Sequence, residues 1–301
     1  MSRYTALDLT DRILGEIEAQ IKAIYTRASK EIGAAWTAYM QEADEKVKKL
    51  GEAYGAAKES GDKDAIRAAG IAVSKAKQER TIMNKHYKEL TFMTAESISH
   101  VNEIAVAYVN NRLPEIYTIN WNEVAKNIGD DLGGAMTFDL VDQSTIRRLA
   151  AEHRNMLPYK VINGVKDVRW NVAKINSEVT QGILQGESIP NIAKRLKNVL
   201  GMNEASAIRN ARTSVTSAQN LGRMDMLHDA AAKGVIMKKG WSAAHDKRVR
   251  PSHQLIDGEF VDIDDEFSNG LEYPGDPDGD PEEVYNCRCA LIYEVVGFER
   301  R

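Results

Sequence analysis

The most reactive side chains of the chain lie together near its C-terminus. The two cysteines, Cys287 and Cys289, are one residue apart, and His253 and Asp246 precede them. Zinc takes thiolate and imidazole ligands in a tetrahedral set, so these side chains are candidates for a structural zinc site, with Asp246, His245 or water as the fourth ligand. A Cys-x-Cys pair is tighter than the usual Cys-x2-Cys spacing, and the same residues also fit two reduced thiols packed in a core.

The same residues would also be available to an enzyme. Asp246, His253 and either Cys287 or Cys289 would suit a metal-dependent hydrolase or nuclease, and a cysteine would suit a nucleophile with His253 as its base. A disulfide between cysteines at this spacing would be strained. The sequence contains no phosphate-binding glycine loop, no His-Glu-x-x-His motif and no nucleophile elbow. We therefore assign no catalytic residues and expect a protein that is not an enzyme.

An acidic segment lies between the histidine and the cysteines. It contains twelve carboxylates from Asp257 to Glu283 and no lysine or arginine. Its Asp-Pro-Asp-Gly-Asp run invites a calcium interpretation. However, Pro281 stands where an EF-hand loop needs glycine, and Cys287 stands where it needs glutamate. We predict a solvated acidic loop.

A basic cluster stands just before that loop and consists of Lys238, Lys239, Lys247, Arg248 and Arg250. Contact with DNA phosphates or an acidic partner is one interpretation, and pairing with the protein's own acidic loop is the favoured one. Residues two apart point to the same side of an extended strand. The two arginines are therefore expected to pair with Asp257 or Asp262.

Five short elements occur in order over about fifty residues of this region. They are a tryptophan, Asp-x-Arg-x-Arg-x-x-His, Leu-x-Asp-Gly, Tyr-Pro-Gly-Asp-Pro and Asn-Cys-Arg-Cys. Together they resemble the signature of the phage Mu F-like head morphogenesis (minor head) proteins, and the resemblance covers roughly residues 180–296. The residues that carry it are Trp241, Asp246, Arg248, Arg250, His253, Asp257, Gly258, Tyr273, Pro274, Gly275, Asn286, Cys287 and Cys289.

The resemblance implies a minor capsid protein that acts structurally in head assembly at the portal vertex, with DNA packaging or ejection as an additional role. The implied partners are the portal protein, the major capsid protein or both, together with packaged DNA, and several copies would surround the portal. The implied location is the virion, in the head interior or at the portal vertex, after assembly in the host cytoplasm. Some members carry a toxin module, such as an ADP-ribosyltransferase, after this domain. Twelve residues follow Cys289, so we expect no such module here.

The composition is typical of a helix-rich protein, because the 301 residues include 43% hydrophobic but only 7% aromatic residues, and 7 prolines. A net charge of -4 gives no global reason to expect nucleic-acid binding. No apolar run is long enough to span a membrane, and the N-terminus lacks the apolar core of a signal peptide. We expect no membrane partner and synthesis in the cytosol, where structural disulfides are rare.

The N-terminal part shows the apolar periodicity of two long helices. Apolar residues recur at helical spacing through residues 8–58 and again through residues 63–113. Because the first spacing is wider than a heptad repeat, it predicts a nearly straight helix rather than a coiled coil. We predict a long antiparallel helical hairpin in which Asp62 caps the second helix and Pro114 ends it.

The remaining elements are shorter. Helices are predicted over residues 121–132, 144–154, 167–184, 190–200 and 203–232. Their predicted N-caps include Ser144, Ser188 and Asn203. Strands are predicted over residues 235–241 and 290–296, which pair across a long loop.

The predicted fold class is therefore mainly α with a small α+β C-terminal domain. Three domains are predicted, namely a helical hairpin arm (1–113), a helical connector (114–180) and a Mu F-like domain (181–301).

Overall fold

The computed structural model describes residues 5–79, 85–134, 137–153, 155–185, 187 and 189–298. Within them the chain forms eight helices and three strands, which confirms a mainly α fold with a small α+β part at the C-terminus. None of the helices in these ranges is both long enough and apolar enough to cross a membrane. In chain order the elements are α1 (Thr5–Ser60), α2 (Lys63–Glu79), α3 (Lys85–Asp131), α4 (Gln143–Glu152), α5 (Gly164–Leu184), α6 (Ile189–Ala232), β1 (Val235–Ser242), α7 (Pro251–Leu255), β2 (Phe260–Asp262), α8 (Pro281–Val284) and β3 (Ala290–Phe298).

The chain divides into two compact units that are each discontinuous in sequence. The first unit combines Met1–Ile21, Ala105–Val161 and Ser206–Arg301, and the second combines Lys22–Ile104 and Ile162–Ala205. Helices α1, α3 and α6 contribute residues to both units. The sequence predicts three domains that follow one another along the chain, and that division stays a prediction.

In the first unit, α1 lies antiparallel to α3. Arg112 Nη2 is 3.0 Å from Glu16 Oε2. About two turns further along α3, Asn120 Nδ2 donates to Thr10 Oγ1 at 2.9 Å. Later residues of α3 therefore contact earlier residues of α1, as in an antiparallel pair. The apolar stripe predicted for α1 is buried here, with Ile17 fully inaccessible.

In the second unit, α1 also runs antiparallel to the helices that follow it. Trp36 Nε1 donates to Thr94 Oγ1 at 2.9 Å. Asp62 caps α2, because its Oδ1 accepts the N–H groups of Asp64 at 2.9 Å and Ala65 at 3.2 Å. The antiparallel return of the chain and the cap at Asp62 are therefore confirmed. The second helix, predicted as one element over residues 63–113, is described as two helices, α2 and α3, and residues 80–84 lie outside the described residues.

The predicted helix end at Pro114 is wrong, because α3 continues through this proline to Asp131. A proline inside a helix removes one backbone hydrogen bond and costs about 3 kcal/mol. Its neighbours Leu113, Ile116 and Tyr117 are all buried. Burial of each such side chain contributes about 1.5–3 kcal/mol, which offsets the cost. Tertiary packing therefore overrides the local signal.

Two predicted N-caps are also wrong. Helix α4 is capped by Asp142, whose Oδ1 accepts the N–H of Thr145 at 2.7 Å, while Ser144 lies inside the helix and donates to that same carboxylate. Helix α6 runs without interruption past Asn203, so this residue caps nothing. Ser188 lies outside the described residues.

Asn203 has a different role in a buried amide network of the second unit. Its Nδ2 donates to Asn171 Oδ1 at 3.0 Å, and its Oδ1 accepts from Asn102 Nδ2 at 2.8 Å. Asn102 Nδ2 also donates to Asp167 Oδ2 at 2.8 Å, and its Oδ1 accepts from the Tyr25 hydroxyl. The network connects four helices through hydrogen bonds that are short and directional.

The C-terminal strands form an antiparallel sheet in the order β2-β1-β3. Trp241 of β1 is paired with Leu291 of β3, so the pairing predicted across the long loop is confirmed. Strand β2 pairs with the other edge of β1, with Gly240 opposite Phe260. Its three residues are too few to show an alternating pattern, which explains why the sequence did not reveal it.

We predict that Asn203→Ala destabilises the second unit, because it removes one donor and one acceptor from buried partners. The expected loss in the free energy of unfolding is about 1–3 kcal/mol, measured by urea denaturation. The adjacent, part-exposed Met202→Ala is the control and should cost less than about 1 kcal/mol. Equal losses in both variants would contradict the proposed importance of the network.

Candidate metal centre

Short segments bring the histidine and the two cysteines together. Helix α7 begins at Pro251, where the missing N–H is tolerated, and it carries His253. After α8, Asn286 adopts a left-handed φ of 59° and directs the chain into Cys287 and Cys289. All three side chains are buried, with 1% of His253 and 2% of each cysteine exposed.

The ligand atoms of these residues converge. His253 Nδ1 lies 3.7 Å from Cys287 Sγ and 3.4 Å from Cys289 Sγ. The three ligand atoms all lie within 4.8 Å of one another. Trp241 packs edge to face on the imidazole, with ring centroids 4.9 Å apart, and Phe267 packs on the other side of Trp241. The structure thus assembles three of the four residues named as metal ligands.

The second nitrogen of the histidine faces a carboxylate. His253 Nε2 lies 2.8 Å from Glu283 Oε2, and Ser252 Oγ donates to the same oxygen at 2.9 Å. A carboxylate at Nε2 favours the tautomer that carries its proton there, which leaves the lone pair of Nδ1 directed at the sulfur atoms. Sequence reasoning missed Glu283, because it is one of many carboxylates in the acidic segment and no spacing distinguishes it.

The two thiols have unequal acidity. A hydrogen bond from Cys287, together with the neighbouring His253, lowers the pKa of the Cys289 thiol. The same thiol–thiol hydrogen bond, together with burial, raises the pKa of Cys287. The physical cause is that a hydrogen bond between the two sulfurs favours the thiolate form of Cys289 and disfavours that of Cys287.

Asp246 lies in an ion pair rather than among the converging ligand atoms. Both of its carboxylate oxygens accept from Arg288, with Oδ1 2.6 Å from Nη2. This pair holds the pKa of Asp246 well below its usual range. His245, the other named candidate for a fourth ligand, is mostly exposed and lies 3.4 Å from Asp257. From the sequence, Arg288 was only the residue between the two cysteines, and no role was predicted for it.

The partners predicted for the two arginines of the basic cluster are wrong. Residues 246–250 form turns instead of an extended strand, so side chains two apart no longer point the same way. Arg248 Nη2 lies 3.6 Å from Asp246 Oδ2, and Arg250 donates to the carbonyl of Tyr285. The arginines therefore pair locally and with the chain just before the cysteines.

Two lysines of the cluster, Lys238 and Lys239, lie on opposite faces of β1. Lys238 Nζ lies 3.8 Å from Asp262 Oδ1 on the neighbouring strand, as expected for internal pairing. Lys239 is buried, with its Nζ 5.6 Å from the centre of the Phe267 ring. Burial lowers the pKa of this lysine, and nearby carboxylates act in the opposite direction.

One polar face of α6 anchors the segment that carries the cysteines. Thr213 Oγ1 accepts the N–H of Asn286 at 2.9 Å, and Thr216 Oγ1 donates to the Cys287 carbonyl at 2.7 Å. Asn220 Nδ2 donates to the Cys289 carbonyl at 3.1 Å. Thr216 lies one helical turn from both Thr213 and Asn220, so helical spacing places all three side chains on the same face.

The other motif residues shape the loop backbone. Gly258 has a φ of 80° and donates its N–H to the Trp241 carbonyl at 2.8 Å. Gly275 has a φ of 83°, and a Cβ there would lie 3.1 Å from the Ser217 nitrogen of α6. Larger residues would therefore be strained and crowded at Gly275. Gly258 thus permits a left-handed turn beside β1, and Gly275 permits the loop to approach α6 closely.

Tyr273, Pro274 and Asp257 also act within this packing. Tyr273 is buried, and the Pro274 carbonyl accepts from Asn220 Nδ2 at 2.7 Å. Asp257 Oδ1 accepts the N–H of Ala243 at 2.8 Å. These motif residues thus take part in the packing and hydrogen bonds that a buried irregular segment needs.

Most carboxylates of the acidic segment are exposed, as predicted for a solvated loop, and Asp276 is the exception. Asp276 is buried, and its carboxylate accepts the N–H groups of Asp278 at 2.9 Å and Glu272 at 3.2 Å. Asp280 caps α8 by accepting the N–H of Glu282 at 2.9 Å. These carboxylates satisfy backbone donors of the turns, which explains their density in the sequence.

The sequence model described as Phage Mu protein F like protein matches residues 173–292. The matched range contains the polar face of α6, the loop and the three converging ligands. Over this range, which is about two fifths of the chain, the protein is similar to the phage Mu F-like family.

Relatives extend the similarity beyond the domain. Minor head protein GP7 of Bacillus phage SPP1 is 27% identical over 292 residues, which are 94% of this chain and 87% of that protein. The NAD(+)--arginine ADP-ribosyltransferase EFV of Enterococcus faecalis is 31% identical over 125 residues, which are 41% of this chain and 26% of that protein. An uncharacterized protein of Haemophilus influenzae is 26% identical over 226 residues, which are 75% and 45% of the respective chains. No solved structure matches.

We predict that Asn220→Ala strongly destabilises the first unit. Asn220 is fully buried, donates to two loop carbonyls and accepts the N–H of Leu291 at 2.8 Å. Unsatisfied buried groups cost about 1–3 kcal/mol each, so the melting temperature should fall sharply. Gln219→Ala, which removes a single 3.4 Å contact, is the matched control and should have a smaller effect. A melting curve for Asn220→Ala that overlays the control would show that the loop does not depend on α6.

Proposed function

We propose that this protein is a structural component of a phage head that acts in head assembly and binds the portal protein at the portal vertex. The observation that carries the proposal is the similarity to a minor head protein over 94% of this chain and 87% of that relative. A match confined to the C-terminal domain would not involve α1 to α3. The long match supports the same role for the helical part as for the domain, and it supports a location in the virion.

Burial of the reactive residues favours a structural over a catalytic role. A hydrolase or nuclease built from Asp246, His253, Cys287 and Cys289 would need to admit a substrate to these side chains. His253 and the cysteines are nearly inaccessible, and Asp246 is held by Arg288. The ADP-ribosyltransferase relative shares with this chain 26% of its own length, so the activity in its name is not transferred here.

Helix α3 offers an exposed face for a partner. Phe92 and Met93 are consecutive residues of this helix, and 50% and 62% of their respective surfaces are exposed. Exposed apolar side chains that lie together commonly mark an interaction site. We propose that this face contributes to contact with the portal protein. A net charge of -4 gives no general attraction to DNA, so packaging and ejection would involve the protein through its position at the vertex.

We predict that the full-length chain co-purifies with the portal protein of its own phage and is incorporated into heads. Phe92→Glu combined with Met93→Glu should reduce recovery of the complex about tenfold, which corresponds to about 1.4 kcal/mol. Ala107→Glu, which adds a charge at an exposed position of the same helix about 21 Å from Met93, is the control and should bind as the wild type does. Circular dichroism should show all three proteins equally folded.

The possible results test separately the structural role, the portal protein as partner and the α3 face as the contact. Incorporation into heads without binding to the portal protein would show that another head component is the partner, and would reject the portal assignment. Normal binding by the Phe92/Met93 variant would reject the α3 face while keeping the partner. A protein that is absent from purified heads would reject the structural role itself.

A further inference from the structure

We propose that His253, Cys287 and Cys289 bind one zinc ion, with a water molecule as the fourth ligand, and that the ion ties α7 to the start of β3. The ligand atoms are His253 Nδ1 and the two Sγ atoms. The three residues are His and Cys, which are the side chains that zinc selects over the oxygen ligands preferred by calcium and magnesium.

The separations between the ligand atoms fit a shared ion. Zinc lies about 2.3 Å from sulfur and about 2.0 Å from nitrogen, so a tetrahedral site places its nitrogen and sulfur ligands about 3.5 Å apart. His253 Nδ1 lies 3.7 Å and 3.4 Å from the two sulfurs. A single imidazole nitrogen has one lone pair and can accept one good hydrogen bond. Its near-equal approach to both sulfurs is better explained by an ion between the three atoms.

The orientation of His253 is a second, independent observation. Glu283 Oε2 lies 2.8 Å from Nε2, and Ser252 donates to that same oxygen. Metal-binding histidines usually present their other nitrogen to a carboxylate or carbonyl, which holds the ring and its tautomer in place. The imidazole is therefore already oriented with Nδ1 toward the sulfurs.

The charge balance also suits burial. When the ion binds, any proton still held by the cysteines leaves to solvent, and two thiolates neutralise the charge of Zn²⁺. A neutral set of buried groups avoids the large cost of an unpaired charge in the interior. Trp241 and Phe267 surround the site with apolar surface, which limits exchange with solvent.

The expected consequence is a cross-link in the irregular segment between β1 and β3. His253 and Cys287 are 34 residues apart, and the described elements between them are short. Closing such a loop in the unfolded chain is entropically costly, so an ion that holds its ends stabilises the folded state. Zinc would thus stabilise the Mu F-like domain without taking part in chemistry.

The test is elemental analysis of the full-length protein, purified under reducing conditions and then supplied with Zn²⁺. We expect one zinc per chain, and less than about a tenth of that in Cys287→Ser, Cys289→Ser and His253→Gln. Val284→Ala truncates another buried side chain of the same segment and is the matched control. This control should melt earlier than the wild type but retain its zinc.

A second measurement keeps the test decisive if the ligand variants do not fold. Removing metal from the wild type with a chelator should lower the melting temperature by at least about 5 °C and expose residues 243–289 to protease, and added Zn²⁺ should reverse both changes. Substitution with Co²⁺ should produce sulfur-to-cobalt charge-transfer absorption. Wild-type protein that takes up no zinc, or zinc that is lost equally in Val284→Ala, would overturn the proposal.

Discussion

The hydrogen bonds between α6 and the loop that follows β1 are the interactions on which the C-terminal domain depends. An irregular segment can be buried only if its backbone donors and acceptors find partners. Thr213, Thr216 and Asn220 supply these partners from one helical face, at Asn286 and at the carbonyls of Cys287 and Cys289. The helix therefore substitutes for the regular strand pairing that this segment lacks.

The same face of α6 connects the loop to the N-terminal helices of the first unit. Arg223 is 1% exposed and donates to Asn120 Oδ1 at 3.0 Å and to the Leu291 carbonyl at 3.3 Å. Its Nη2 lies 2.6 Å from Glu123 Oε2. A buried charge is tolerated because it is both paired and hydrogen-bonded, and removal of either partner would leave an uncompensated ion. Helix α3, helix α6 and strand β3 thus meet at one guanidinium group.

The long helices and the C-terminal strands could be predicted because their signals are local and repetitive. The apolar stripe of α1 persists from Ile13 to Met40, and burial follows it. The turn at Gly61 and the cap at Asp62 also depend on neighbouring residues. By contrast, Pro114 and Asn203 carry strong local signals for helix boundaries, yet both lie within helices. At these two positions, burial and a polar network outweigh local preference.

The sequence was enough to name His253, Cys287 and Cys289 as candidate ligands, because thiols and imidazoles are the usual zinc ligands, although it also named Asp246, which does not converge with them. It was also enough to show the resemblance to the phage Mu F-like family, because five elements occur in one order. Only the tertiary structure decided that Asp246 pairs with Arg288 and that Glu283 faces His253. Both pairings join residues that are separated by long stretches of irregular chain, where no periodicity relates one position to another. The path of such a segment is set by contacts with α6, and those contacts exist only after the chain has folded.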